Sequence, residues 1–335
     1  PGPRNKITDV AGVTVGHCTV DTERNKTGVT VVMPCEDNPF SRKLTAAAWV
    51  QNGFGKSQGL IQIEELGVLE TPIALTNTLN VGIVHDSIVD YMLKVGERDG
   101  ISITSVNPVV GECNDGLLND IALRAVGREE VRRAIDGAAE DFEEGDVGAG
   151  KGTVCFGLKG GIGSASRVIS VGGKDYTVGA LVQSNFGTTQ NLVINHVPVG
   201  LELSGIEPVL TDKGSIMMIL ATDLPVTDRQ LKRMCRRAPV GLARCGSFFG
   251  HGSGDVVIGF TTANRVESGR EPAVCSMEVL KEELLDQVFP AVAESVEEAV
   301  LNSLAMASTL TGYDGVKKYS LTEAYLGRLQ TERTA

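Results

Sequence analysis

The sequence predicts a mixed α+β fold, and three observations support that class. Glycine is unusually common, at 40 of 335 residues, well above the ~7 % of an average chain, which suits tight turns and closely packed layers. Short β-branched runs bounded by Gly, Pro, Asn or Asp predict strands. Apolar residues spaced three or four apart predict helices. These segments alternate without a regular βαβ rhythm, so a layered α+β domain is favoured over a doubly wound parallel sheet.

In the first half of the chain, the pattern begins with two strands. β-Branched residues fill 13–15 and 28–33, and the short connection between these runs predicts that the strands pair as neighbours. Helical spacing of apolar residues then dominates, with one more β-branched run among the helical segments. The predicted helices are 60–66, 87–95, 117–126 and 129–138, and the further strand is 101–104.

The second half of the chain contains the strongest strand and helix signals. Continuous β-branched or apolar runs predict strands at 177–183, 215–221 and 256–262. Helices are predicted at 228–238 and 282–310, and in the second of these an apolar stripe runs from Leu285 to Ala307. No Pro- or Ser-rich linker divides the chain, so we expect residues 1–335 to form a single domain.

Composition and charge exclude several classes of function. The formal net charge of −11 argues against nucleic-acid binding, which needs a dense Lys/Arg surface. No apolar stretch reaches the length of a transmembrane helix, so we expect no membrane partner. Seven scattered cysteines without a CxxC pair favour a reducing, cytoplasmic location over a disulfide framework. The four histidines lie far apart in the sequence, and their spacing predicts no metal site.

The most specific chemical candidate is the run Gly-Ser-Gly-Asp at 252–255, where a polar loop enters a strand-like segment. A serine in that position can attack the preceding peptide carbonyl, here that of Gly252, and hydrolysis of the resulting ester frees the α-amine of Ser253. An α-amine has a pKa of about 8, so it can act as a general base near neutral pH. A Gly-Ser turn with no chemical role is the common alternative.

Other motifs have more ordinary interpretations. The glycine-rich segment 159–167 lacks the GxxxxGK[ST] pattern of a phosphate loop, so a backbone bend is favoured over phosphate binding. Asn185 follows a predicted strand, where its amide can donate to an oxyanion or hold a turn. Glu112 lies in a Gly/Asn/Asp-rich turn region, and its carboxylate can receive a substrate ammonium.

Six motifs in their order along the chain carry a resemblance to a known family. They lie at 5–17, 159–167, 221–225, 252–255, 295–297 and 311–315. This ordered set resembles the DmpA-type aminopeptidases, the family of the L-aminopeptidase/D-esterases and β-peptidyl aminopeptidases. The resemblance covers the chain from about residue 4 to about residue 325.

The resemblance implies a four-layer αββα sandwich, like that of the N-terminal-nucleophile hydrolases but with different connectivity. It implies that the chain cuts itself between Gly252 and Ser253 into an α subunit, 1–252, and a β subunit, 253–335. It further implies a serine aminopeptidase that removes N-terminal residues from short peptides, amides and esters, without metal or organic cofactor. A homo-oligomer, a tetramer of αβ units, is the expected assembly.

Carried over residue by residue, the resemblance places the nucleophile at Ser253 and a supporting Ser-x-Glu pair at Ser295 and Glu297. The oxyanion donor of the family is an asparagine, and two positions are candidates. One is Asn185; the other is Asp223, which as a carboxylate would not donate. On an ideal helix, residues 295 and 297 lie about 200° apart, so both reach one site only if their helix is buried on two sides.

Two alternatives to a peptidase remain open from the sequence. The first is an acyltransferase of the ornithine-acetyltransferase-like architecture, whose nucleophile is a self-generated N-terminal threonine in a different local motif. The second is a non-catalytic scaffold that retains the fold. Self-cleavage distinguishes the scaffold from both enzymes, because an inert scaffold would stay as one intact chain.

Overall fold

Two β-sheets packed face to face form the centre of the molecule, in a computed structural model that describes residues 1–203, 206–269 and 273–326. In chain order the strands are β1 (Thr14–Asp21), β2 (Lys26–Met33), β3 (Arg42–Gly53), β4 (Val68–Leu69), β5 (Ile73–Asn77), β6 (Val109–Cys113), β7 (Val154–Cys155), β8 (Leu158–Lys159), β9 (Ile162–Val171), β10 (Lys174–Asn185), β11 (Ser215–Thr222), β12 (Gly254–Glu267), β13 (Leu310–Thr311) and β14 (Lys317–Lys318). The helices are α1 (Leu60–Leu66), α2 (Val81–Asp99), α3 (Arg128–Asp136), α4 (Asp228–Cys235), α5 (Ala238–Arg244) and α6 (Phe289–Ala305).

The two sheets and the helices outside them make four layers. The smaller sheet has the strand order β1-β2-β5-β6, and the larger has β4-β3-β12-β11-β10-β9. Alternating apolar residues, such as Leu75 from the smaller sheet and Ile219 from the larger, fill the core between them. Ile88 of α2 packs in the layer outside the smaller sheet, and Leu231 of α4 and Val296 of α6 pack in the layer outside the larger. The architecture is the four-layer αββα sandwich that the resemblance implies.

Strand β12 occupies an inner position of the larger sheet. It runs parallel to β11 and antiparallel to β3. The register aligns Asn185, the last residue of β10, with Ser215, and aligns Ser215 with Gly254. The start of β12 and the end of β10 therefore meet at one edge of the sheet, where we expect the reactive groups to lie.

Most predicted elements are present, and the long helix is shorter than its stripe predicts. Helix α1 has the predicted bounds, while the predicted helix 228–238 divides into α4 and the start of α5. The predicted helix 282–310 begins as a short 3₁₀ segment, Glu282–Gln287, and continues as α6. The apolar stripe of α6 is buried against β9 and β10 because those strands present an apolar outer face.

Two element predictions are wrong. Residues 101–104 form no strand, and the segment 117–126 forms no α-helix. In that segment, Asn119 accepts hydrogen bonds from the backbone N–H of Lys26 (3.1 Å) and from the side chain of Asn25 (3.1 Å). These polar contacts fasten the segment to the start of β2, and side-chain bonds of this kind compete with helical ones.

Candidate active site

Ser253 is fully buried where a tight turn runs into β12. Its amide N–H donates to the carbonyl of Gly250 at 2.9 Å, so these four residues form a β-turn with Gly252 at its third position. Asn52, on the neighbouring strand β3, donates from Nδ2 to the carbonyl oxygens of Gly250 (2.8 Å) and Ser253 (2.6 Å). The turn that contains the Gly252–Ser253 peptide bond is therefore held at both ends.

The hydroxyl of Ser253 donates a hydrogen bond to Oδ1 of Asp255, with 2.7 Å between the two oxygens. Asp255 is itself fully buried, and its second oxygen, Oδ2, has no hydrogen-bond partner within the described residues. Burial raises the pKa of Asp255 to about 6, the negative charge of Asp212 adds to that rise, and the bond from Ser253 opposes it. A carboxylate with such a pKa can take up a proton near neutral pH.

The sequence reasoning missed Asp255, although the signal was present. Side chains two positions apart on a strand point to the same face, so a serine just before a strand can lie beside an aspartate two residues later. The contribution of Asp212 to holding the turn was missed as well. Asp212 accepts hydrogen bonds from the backbone N–H groups of Gly250 (3.3 Å) and Gly187 (3.0 Å), which connects the turn to the segment after β10.

Asn185, at the end of β10, lies two strands away from the start of β12. It is aligned through Ser215 with Gly254, and since adjacent strands are ~4.8 Å apart, its backbone is about 10 Å from that of Gly254. Its Oδ1 accepts from the backbone N–H of Val154 at 2.9 Å. That contact orients the amide group and does not use Nδ2, and Asn185 lines a cavity of about 220 Å³.

The segment that orients Asn185 is held by a buried lysine. Lys159 is fully buried, and its ammonium donates to the carbonyl oxygens of Gly150 (2.9 Å), Thr153 (2.9 Å) and Gly160 (2.6 Å). An ammonium has three donors, so these contacts leave none for a phosphate. In the 159–167 segment, Gly160 and Gly161 form the bend between β8 and β9 and residues 162–167 begin β9, so the backbone-bend interpretation holds for the two glycines.

We expect Lys159→Met to destabilise the fold strongly. The substitution fills a similar volume but leaves three buried carbonyls without their donor, at about 1 kcal/mol or more for each. Urea unfolding should show the free energy of unfolding lowered by about 3 kcal/mol. Lys94→Met, on the exposed face of α2, is the matched control and should change it by less than about 0.5 kcal/mol. Equal midpoints for the two variants would contradict this role of Lys159.

Glu112 approaches the nucleophile from the smaller sheet. Its carboxylate is buried near the end of β6 and accepts from the backbone N–H of Lys56 (2.9 Å) and from the hydroxyl of Thr78. Gly55 lies between this carboxylate and the start of β12, because a Cβ at Gly55 would be 3.7 Å from both Glu112 Oε1 and Gly254 Cα. The structure thus places the Glu112 carboxylate close to the start of β12, and its binding of a substrate ammonium stays a prediction.

The prediction that Ser295 lies at the nucleophile is wrong. Its hydroxyl donates to the carbonyl of Val178 at 3.4 Å, on the outer face of the larger sheet. Val178 is aligned, across β11, with Thr261 of β12. That position is about eight residues beyond Ser253, or roughly 25 Å along an extended strand.

The same correction applies to Glu297. Its carboxylate forms an ion pair with Arg244 of α5 at 3.1 Å, in the outer helical layer, and its side chain is 22 % exposed. The cause is the angular separation on α6: Ser295 points to the sheet, and Glu297 points to the neighbouring helix. The helix is buried, as predicted, but on faces that do not lead to Ser253.

Asp223 is not at the nucleophile either. Its Oδ1 accepts from the backbone N–H of Thr177 at 2.7 Å, at the edge of the sheet opposite to Ser253. Burial raises the pKa of this carboxyl group. Position and chemistry together exclude Asp223 as an oxyanion donor, and Asn185 is the candidate that remains.

A second cavity adjoins the turn. It has a volume of about 480 Å³ and is lined by the apolar side chains of Phe54, Leu210 and Phe248, with Gly252 at its wall. A further cavity, of about 580 Å³, lies between α2 and α3 in the outer layer, and none of the candidate site residues lines it. Among the described residues, the cavity of about 480 Å³ adjoins the turn and the cavity of about 220 Å³ adjoins Asn185, so these two lie next to candidate site residues.

Two features are absent from the parts of the chain that the structure describes. Across residues 1–203, 206–269 and 273–326, no three His, Cys, Asp or Glu side chains converge as metal ligands would. Over the same residues, no helix has the length and apolar character needed to cross a bilayer.

Known proteins with similar sequences identify the family of this chain. The family model of peptidase family S58 matches residues 5–318. The β-peptidyl aminopeptidase BapA of Sphingosinicella microcystinivorans is 40 % identical, in an alignment that covers 97 % of this chain and 87 % of that protein.

Solved structures extend the similarity to the fold. A protein from Pyrococcus horikoshii OT3 is 49 % identical, with a TM-score of 0.92 over 100 % of this chain and 96 % of its own. The L-aminopeptidase D-Ala-esterase/amidase of Ochrobactrum anthropi is 36 % identical, with a TM-score of 0.91 over 99 % of this chain and 95 % of its own, and it is described as a variant of the Ntn hydrolase fold. The expected fold is thereby confirmed, and from the match over almost its whole length this chain belongs to peptidase family S58.

Proposed function

We propose that this chain is a self-cleaving serine aminopeptidase with Ser253 as its nucleophile. As a member of a peptidase family, the chain is a hydrolase of peptide bonds. One observation carries the assignment of the nucleophile: a buried serine, directly after a tight turn, donates its hydroxyl hydrogen to the buried carboxylate of Asp255. Ser295, the other serine considered from the sequence, has no such partner.

Cleavage between Gly252 and Ser253 would give chains 1–252 and 253–335. Strand β12 belongs to the second chain and lies between β3 and β11 of the first, so two strand ladders would keep the chains together. The new α-amine of Ser253 would then serve as the general base for its own hydroxyl, since an α-amine titrates near pH 8.

The hydroxyl and α-amine of Ser253 and the side chain of Asn185 together allow a mechanism for substrate hydrolysis. Ser253 Oγ attacks the carbonyl carbon of the substrate's first residue, and the α-amine of Ser253 takes the proton. Nδ2 of Asn185 donates to the oxyanion that forms, a contact that stabilises the transition state more than the ground state. The amine product leaves, and water hydrolyses the acyl-enzyme. A second amine in place of water would give acyl transfer.

Glu112 supplies the selectivity for a free N-terminus. Its carboxylate lies beside Gly55 and the start of β12, within reach of a group bound next to Ser253. A substrate ammonium placed there would form a charge-assisted hydrogen bond, which is roughly twice as strong as a neutral one. An enzyme that requires this contact acts only at the first residue of a peptide.

The test is a comparison of aminoacyl p-nitroanilides with their N-acetylated forms. The wild-type enzyme should hydrolyse only the free-amine substrates. Glu112→Gln should lower kcat/KM for them by about 10- to 100-fold, because a hydrogen bond to a charged group contributes about 1.5–3 kcal/mol. Glu65→Gln, at an exposed glutamate on α1, is the matched control and should leave kcat/KM unchanged.

Two results would overturn this proposal at different points. Rapid hydrolysis of the N-acetylated substrates would remove the aminopeptidase assignment. Equal kcat/KM for Glu112→Gln and Glu65→Gln would remove only the role of Glu112. The same panel, extended to β-amino acids and to esters, defines which short peptides, amides and esters this chain prefers.

The two alternatives considered from the sequence lose their support. The family model and the curated relative are those of peptidases, and neither is an acyltransferase. A non-catalytic scaffold would not require a buried serine–carboxylate pair.

We also propose that the protein is a cytoplasmic homo-oligomer, a tetramer of αβ units. All seven cysteines are unpaired, which suits a reducing compartment. Light scattering measures the subunit number directly.

A further inference from the structure

Self-cleavage requires a general base other than the α-amine of Ser253, which is the proposed base of the cut enzyme. In the uncut chain the nitrogen of Ser253 is part of a peptide bond, and its N–H donates to Gly250. A peptide nitrogen has no basic lone pair, so the α-amine that would activate the hydroxyl in later turnovers does not yet exist. Some other group must accept the hydroxyl proton when the chain first cuts itself.

We propose that Asp255 is the general base for the self-cleavage at Ser253. The inference rests on the proposed function, since it assumes that Ser253 cuts the chain. It is carried by position: Asp255 Oδ1 is 2.7 Å from the Ser253 hydroxyl oxygen and accepts its hydrogen. No other acceptor for that hydroxyl is found among the described residues.

The neighbouring carboxylates are already engaged by other donors. Asp212 accepts hydrogen bonds from the backbone N–H groups of Gly187, Gly214 and Gly250. Glu112 accepts from the backbone N–H of Lys56 and from the hydroxyl of Thr78. Asp255, in contrast, has one oxygen on the hydroxyl and one, Oδ2, without any partner in the described structure. A buried carboxylate with an unsatisfied oxygen is costly to fold, and gaining a proton relieves that cost.

The chemistry balances with water as the one added reactant. The carboxylate of Asp255 takes the hydroxyl proton as Ser253 Oγ bonds to the carbonyl carbon of Gly252. The carbon–nitrogen bond of that intermediate then breaks, and Asp255 returns the proton to the leaving nitrogen, which becomes the α-amine. An ester now joins Gly252 to Ser253 Oγ. Water hydrolyses it to the carboxyl group of Gly252 and the free hydroxyl.

The surroundings of Asp255 determine the expected pH dependence. Of the residues paired with it, Asn52 on β3 and Ile216 on β11 do not titrate. The ionisable groups near it are Asp212, from the segment before β11, and Glu112 and Cys113, from β6. The negative charge of Asp212 favours the protonated form of Asp255, in the same direction as burial. Burial raises the pKa of the Cys113 thiol well above its usual value, so this group stays uncharged between pH 5 and 9.

Because the base must be ionised to act, cleavage should be slow while Asp255 is protonated. With the pKa of Asp255 raised to about 6, the rate should rise about tenfold for each pH unit below 6. It should become independent of pH above about 7. An exposed aspartate, with its usual pKa of about 3.9, would give no inflection in this range.

The experiment follows cleavage of the full chain, synthesised by pulse-labelled cell-free translation and then transferred to buffers from pH 5 to 9. Asp255→Asn should lower the rate at pH 7.5 by about 10²–10⁴-fold, the usual contribution of a general base. Asp255→Glu should retain part of the rate. Asp115→Asn neutralises another fully buried aspartate with an unpartnered oxygen, and it should cut at the wild-type rate. Thermal unfolding of each uncut variant establishes that it is folded.

The outcomes separate the two proposals. If the wild-type chain is never cut, or if Ser253→Ala is cut at the same bond, the proposed function fails. If Ser253→Ala is uncut but folded Asp255→Asn is cut within threefold of the wild-type rate, only the role of Asp255 fails. A wild-type rate that does not vary between pH 5 and 7 also overturns that role. If the Asp255→Asn variant does not fold, the role of Asp255 is decided by two other measurements. These are the pH profile of wild-type cleavage and the cleavage rate of the Asp255→Glu variant.

Discussion

Ser253→Ala should leave one uncut chain of 335 residues and abolish peptidase activity. The substitution removes the oxygen that attacks Gly252 and, in the mature enzyme, the oxygen that attacks the substrate. A denaturing gel and intact mass measure the first effect. Release of p-nitroaniline measures the second. We expect loss of at least about 10⁴-fold in kcat, comparable to losses seen on removing a serine nucleophile.

The matched control is Ser308→Ala, because Ser308 is exposed and lies outside the turn. This variant should be cut and active like the wild-type protein. A Ser253→Ala chain that is still cut between residues 252 and 253 would show that another protease makes the cut. Residual activity close to the wild-type level would remove Ser253 as the nucleophile altogether.

Asn185→Asp should lower kcat by about 10²–10³-fold while KM changes little. The aspartate keeps the oxygen that accepts the N–H of Val154, so the local fold is retained. It replaces the Nδ2 donor by a carboxylate oxygen, which cannot donate to the oxyanion. Loss of one oxyanion donor has an effect of this size, and it falls on kcat because the contact strengthens in the transition state.

Steady-state kinetics on the cut fraction of each variant makes this measurement. Asn195→Asp is the control, since Asn195 is exposed and lies outside the strands and helices, and its kinetics should match the wild type. If Asn185→Asp raises KM and leaves kcat unchanged, Asn185 binds the substrate in its ground state. The oxyanion donor would then be sought among the backbone N–H groups beside Ser253.

Local pattern was sufficient to predict individual helices and strands that bury one face, whereas the four-layer architecture was implied by the family resemblance. Helix α1 has the predicted bounds, because Gly59 and Gly67 adopt left-handed backbone at its two ends and glycine punctuates helices for that reason. The segment 117–126 was mistaken for a helix because its apolar spacing is helical. Its polar side chains bond instead to β2, a strand distant in sequence. Such tertiary contacts leave no trace in local periodicity.

The candidate residues that the structure brings close together lie at strand ends. Ser253 and Asn185 adjoin the ends of β12 and β10, which are aligned across β11 in the larger sheet, and Glu112 adjoins the end of β6 in the smaller sheet. Ser295 and Glu297 lie within a helix, and the direction of a helix across a sheet depends on packing that one segment does not specify. The pKa of Asp255, likewise, depends on Asp212, which is more than forty residues away in sequence.

The complete burial of Ser253 bears on when the proposed cut can occur. A chain that began folding with residue 253 as a free terminus would carry an ammonium into the interior, and desolvating a charge of that kind costs several kcal/mol. In the uncut chain the same nitrogen is a neutral amide already bonded to Gly250. Folding first and cutting afterwards thus introduces the ionisable terminus only once its surroundings exist. The proposed cut would then restrict activity to correctly folded chains, because a chain whose sheets fail to assemble would never acquire a working nucleophile.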